Sequence, residues 1–110
     1  MKVWFFLCAI LLTSPVLAQP VQPQGKVRGN PMRGEALAKL WCTGCHAVKE
    51  APTAGDLGPT FETIAHDPGK GPDYLRGFLA RPHSPMPPIQ FSGDEIEDLV
   101  AYFHELAQHQ

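Results

Sequence analysis

The sequence contains no alternating apolar and polar run, no internal repeat, no second cysteine pair and no block of basic residues. Each absence removes a class of reading. Without period-two alternation there is no half-buried strand, so the domain is expected to be all-α. Nine Lys and Arg stand against eleven Asp and Glu, a formal charge of −2. With no basic stripe to neutralise a row of phosphates, nucleic acid is not expected as a partner. The longest apolar run, Val3 to Leu12, is shorter than the roughly twenty residues a membrane-spanning helix needs.

That run follows Lys2 and leads, through Ser14-Pro15, to the small-residue exit Val16-Leu17-Ala18. The order is that of a secretory signal. Residues 1–18 are therefore expected to be a signal peptide cleaved after Ala18, leaving an exported, periplasmic chain with no integral membrane segment. Cys8 lies inside the apolar run rather than at the cleavage site and leaves with it. Loss of Lys2 takes the formal charge from −2 to −3. Residues 19–31, rich in Pro, Gln and Gly and lacking an apolar period, read as a flexible leader. Residues 32–110 then form one small domain. A domain of that size has difficulty offsetting chain entropy by burial alone and usually relies on a disulfide, a metal or a cofactor.

The two cysteines that remain are therefore informative. They stand in Cys42-Thr43-Gly44-Cys45-His46, the spacing by which c-type haem is attached. Residues three apart on a helix share a face, so Cys42 and Cys45 can both reach one side of a flat ring and form thioethers with its vinyl groups. His46 is placed to turn its imidazole to the iron as the proximal ligand. A cysteine pair is also half a zinc site, a thiol redox motif or a disulfide. Zinc would need two more thiolate or imidazole ligands, and there is no second cysteine pair; a thioredoxin-like protein would need a βαβ pattern, which is absent.

The rest of the chain supplies helices around this motif. From Arg33, Leu37, Leu40 and Trp41 recur at spacings of three and four, with Cys45 continuing the stripe. Thr60 offers an N-cap for a short helix through about His66, and Pro72-Asp73 suits the first turn of another, with Leu75, Phe78 and Leu79 buried. Between Arg81 and Phe91 four prolines forbid a helix interior. Ser92 with Glu95 three residues on forms a capping box for the clearest helix, whose apolar face is Ile96, Leu99, Val100, Phe103 and Leu106.

A ring ligated on one side needs an account of the other. Met86 lies in the proline-stiffened loop about forty residues beyond His46, where its thioether can be held across the far face at reduced entropy cost. Met32 precedes the first helix on the wrong side of the motif. His83 is the rival, three residues away in the same loop. Met86 is the expected sixth ligand.

The residues taken together resemble the class I c-type cytochromes, small bacterial monohaem cytochromes among them. The resemblance rests on Gly34, eight residues before Cys42, on Cys42-x-x-Cys45-His46, on Gly58-Pro59, on Met86-Pro87-Pro88 and on Asp98-Leu99-Val100-Ala101-Tyr102. It implies three to five short helices around one haem, a glycine crossing between the first and last helices, and a Pro59 carbonyl that orients the proximal histidine. Tyr74 is a candidate for hydrogen bonding to the methionine sulfur. Ala38 stands where many members have an aromatic, so Trp41 or Phe103 is expected to fill that space.

With both axial positions taken by His46 and Met86, iron has no open site, and the expected function is one-electron transfer by a covalent haem c rather than an enzymatic reaction. Redox donor and acceptor proteins are the implied partners. Leu57, Phe61, Leu75, Phe78, Leu79 and Ile89 would line the pocket, and Lys39, Lys49 and Arg81 would give a positive rim. A cytochrome subunit docked permanently on a periplasmic dehydrogenase or oxidase is the alternative, favoured if large apolar residues stay exposed beyond the haem crevice. A haem sensor or peroxidase with a labile sixth ligand is the third.

Overall fold

The computed structural model describes residues 25–49, 57–81 and 84–109. Among these there are four helices and no strand: α1 (Pro31–Trp41), α2 (Phe61–Ala65), α3 (Pro72–Leu79) and α4 (Gly93–Leu106). The signal, the first part of the expected leader and His83 lie outside the described residues.

Local chemistry sets each start. Asn30 caps α1, its side chain accepting from the Met32 and Arg33 amides at 3.0 and 3.2 Å, and Pro31 occupies the first turn. Thr60 accepts from the Thr63 amide at 3.0 Å to open α2. Pro72 opens α3 without a side-chain cap. At α4 the capping box is complete: Ser92 Oγ accepts from the Glu95 amide at 3.3 Å, and Glu95 Oε2 accepts from the Ser92 amide at 2.7 Å.

Helix α4 is the spine, packed against α1, α2 and α3. Its expected apolar face is buried, and Ala101 and Tyr102 are buried with it. The approach of α1 is set by Gly34, where a β-carbon would stand 2.0 Å from the Asp98 carbonyl oxygen and 2.8 Å from Tyr102 Cβ. Only a residue without a side chain lets the two backbones come so close. One turn on, Ala38 is fully buried. The buried face of α1 is therefore Gly34, Ala38 and, in part, Leu37, not the expected Leu40 and Trp41, which point outward. Close helix approach selects small residues for the interface and turns the large ones away. Phe103, not Trp41, is the aromatic of the core here, stacked on Phe61 at 4.5 Å between ring centres.

Residues 25–30, which fall in the expected leader, run across α3 and α4. Val27 packs against the core. The Lys26 carbonyl accepts from Arg76 Nη2 at 2.8 Å, and a β-carbon on Gly29 would meet the Glu97 carbonyl at 2.0 Å. Arg76 also forks onto Glu97 at 2.6 and 3.0 Å, joining α3 to α4. Asp98 closes the crossing from the other side. The residue is 5% exposed, and its carboxylate accepts from the Asn30 amide at 2.7 Å and pairs with Arg33 Nε at 2.9 Å. A buried carboxylate of this kind is tolerated because charge and hydrogen bonds satisfy it together.

Candidate haem site

Helix α1 stops at Trp41, and Cys42 is its C-cap, donating its amide to the Ala38 carbonyl at 2.9 Å. The chain then makes one further tight turn, with the Cys45 and His46 amides donating to the Cys42 carbonyl at 3.2 and 2.9 Å. Two thiols and an imidazole are thereby gathered on a single turn continuing the helix. Cys42 and Cys45 are half-buried free thiols. Burial pushes the Cys42 thiol up to about 11, so it stays protonated at neutral pH. A protonated thiol is a poor metal ligand and a poor exchange nucleophile. Among the described residues no group of three or more His, Cys, Asp or Glu could hold a metal ion.

His46 is 8% exposed and held from three sides. Its Nδ1 lies 2.7 Å from the Pro59 carbonyl oxygen. A carbonyl only accepts, so Nδ1 carries the proton and Nε2 keeps its lone pair. The edge of the ring meets Phe61 at 5.6 Å and 64°. Against its face lies Gly58, where a β-carbon would be 2.6 Å from Cε1. The loop cannot swing freely away from the motif, because the Gly58 amide donates to the Cys45 carbonyl at 2.9 Å and the Phe61 amide to the Ala47 carbonyl at 3.0 Å.

The other expected site residues are more scattered. Met86 is half-buried in the turn after the Ser84-Pro85 peptide. Tyr74 lies on α3, its ring stacked on Phe78 at 5.6 Å and 18°. Phe61 and Leu75 belong to the helical core, Leu79 and Ile89 are half-buried, and Leu57, Tyr74 and Phe78 are exposed. The expected positive rim is weakened, because Lys39 is paired with Glu35 at 2.7 Å. Sequence reasoning missed Asp98 as a buried carboxylate.

These donors fit a c-type haem. Two thiols three residues apart can each add across a vinyl group, carrying their own protons. An imidazole with a free Nε2 can ligate iron, and a glycine makes room for its ring. Residues 29–103 match the family described as cytochrome C oxidase, cbb3-type, subunit III. The chain belongs to this family of c-type cytochromes. This cytochrome is also similar to cytochrome c-552 of Bradyrhizobium diazoefficiens, at 33% identity over 93 residues, covering 83% of this chain and 88% of the relative. No solved structure matches it. As a c-type cytochrome it carries covalently bound haem c with its iron and serves haem-based electron transfer. No helix among the described residues is long and apolar enough to cross a membrane.

Proposed function

We propose that the cytochrome is an exported, periplasmic one-electron carrier whose haem is held by Cys42 and Cys45 and ligated by His46 and Met86. In this reading residues 1–18 are the cleaved signal, 19–31 the leader and 32–110 the cytochrome domain. The observation that carries it is the 2.7 Å contact between His46 Nδ1 and the Pro59 carbonyl, which fixes the tautomer and raises the basicity of the nitrogen left for a metal. Bound haem supplies the Fe(III)/Fe(II) couple. The protein's residues supply position and surroundings. Pro59 holds the imidazole, and the prolines around Met86 hold its thioether. Tyr74 and Phe78, exposed but stacked on each other, would offer the ring an aromatic wall. A His/Met pair and an apolar surround both favour a high reduction potential.

With His46 and Met86 both holding the iron, no place would be left on it for a substrate, and the protein would act as a carrier. The reading predicts a purified chain beginning at Gln19, of a mass containing one haem, whose reduced form binds almost no carbon monoxide. Rapid carbon monoxide binding would replace it with the sensor or peroxidase reading. A second reading, a permanently docked subunit, is supported by Met32 and Leu40, exposed by 74% and 69%, and by the oxidase-subunit description of the matching family. Co-purification with a catalytic chain at constant stoichiometry would favour it over the shuttle.

A further inference from the structure

Helix α1 turns Gly34 and Ala38 inward and leaves Met32, Ala36 and Leu40 outside. Residues four apart lie on one face, so these three form a continuous stripe. Beside it, between α1 and the start of α4, runs a groove of about 430 Å³. Ala36, Leu37 and Leu40 give it an apolar floor, and Arg33, Asp94 and Glu95 stand on its walls. Exposed apolar surface rimmed by polar groups is a usual mark of a protein contact.

The charge of the rim decides what fits. Arg33 is committed to the buried Asp98 at 2.9 Å. Asp94 takes part in no ion pair among the described residues. Glu95 is held ionised by its bonds to Ser92. The groove therefore presents an apolar floor with two uncompensated carboxylates at its lip. Leu40 stands two residues before Cys42, so anything seated here lies beside the stretch that carries the haem. Nearby, the positive charge of Lys39 is neutralised by Glu35 at 2.7 Å.

We propose that this groove is where the electron-transfer partner docks, and that the partner is a protein presenting an apolar side chain flanked by lysine or arginine. The proposal rests on the carrier reading and gives its partner a sign opposite to the one a lysine rim would select. A second copy of the chain fits less well, because it too is acidic overall, with a formal charge of −2 for the full sequence and −3 once Lys2 leaves with the signal.

The test is stopped-flow electron exchange between the haem-loaded protein and two redox proteins of similar size, a lysine-rich monohaem cytochrome and an acidic blue-copper protein. The basic probe should react faster, and its rate should fall about tenfold or more between low and high salt. Leu40→Ser and Asp94→Asn should each lower its low-salt rate roughly three- to tenfold while leaving the haem spectrum and reduction by dithionite unchanged. Rates untouched by both substitutions, or a faster and salt-suppressed reaction with the acidic probe, would overturn the proposal. So would a concentration-dependent dimer in sedimentation that Leu40→Ser abolishes, since the occupant would then be a second copy. If neither probe exchanges electrons with the unaltered protein while dithionite reduces it, the carrier reading itself fails.

Discussion

Gly58→Ala places a methyl group against the face of His46. Its β-carbon would lie 2.6 Å from Cε1, 2.9 Å from Nδ1 and 3.2 Å from Nε2, against about 3.5–4.0 Å for comfortable carbon contact. The loop is tied to the motif through the Gly58 amide, 2.9 Å from the Cys45 carbonyl, so most of the adjustment falls on the imidazole. A retreat of about 1 Å removes the contact but stretches the bond to Pro59 out of hydrogen-bonding range. Losing that bond costs about 0.5–1.5 kcal/mol, and forcing an added methyl into a packed site about 1–3 kcal/mol. The sum, about 1.5–4.5 kcal/mol, should lower the thermal midpoint of the haem-loaded protein by about 6 °C or more. The readout is circular dichroism on heating, with the haem absorption spectrum recorded beside it to report the disturbed ligand. Gly44→Ala is the control, since nothing lies within 4 Å of a β-carbon there, and its effect should stay within about 0.5 kcal/mol. A Gly58→Ala protein with the midpoint and spectrum of the parent would refute the account of how His46 is held.

Three further outcomes follow from the packing. Gly34→Ala drives a β-carbon into the Asp98 carbonyl at 2.0 Å, and the overpacking should outweigh the gain in helix propensity for a net loss of about 1–2 kcal/mol in urea unfolding. Asp98→Ala leaves the Asn30 amide without its acceptor and Arg33 without its carboxylate, a loss of about 2–3 kcal/mol by the same assay. The Arg76 guanidinium holds the Glu97 carboxyl below its ordinary 4.5. A depressed folded value means the pair stabilises fully above about pH 4.5 and loses its contribution as pH falls through that lowered value. Arg76→Gln should therefore cost about 1 kcal/mol at neutral pH, given the partial exposure of the pair, and should flatten the acid limb of the stability profile.

Capping and periodicity made much of the fold legible. Ser92 with Glu95, Thr60 and Pro72 each act within a few residues, and each helix they announce starts where expected. The inward face of α1 was not legible from hydrophobicity, because a close helix crossing rewards glycine and alanine over leucine and tryptophan. Gly34 entered the reading only through the family resemblance. Asp98 was hidden for a related reason. It looks like one of four acidic residues favoured by the helix dipole, and only the fold brings Arg33 and the Asn30 amide to it across more than sixty residues. At the site, Cys42, Cys45 and His46 are contiguous, so their arrangement was readable, whereas the Pro59 carbonyl, a backbone atom with no side-chain signature, was expected at His46 only through the family resemblance. The charge on Lys39 misled, since its neutralising partner lies one helical turn back on the same helix.

The proposed carrier depends on Met86 serving with His46 as a second side-chain ligand of the haem iron. The direct measurement is the near-infrared absorption of the ferric protein, in the parent and in Met86→Ala and His83→Ala. The account predicts the weak band of methionine-ligated ferric haem in the parent and in His83→Ala, and its loss in Met86→Ala. A parent without the band, whose spectrum changes on His83→Ala instead, would contradict it.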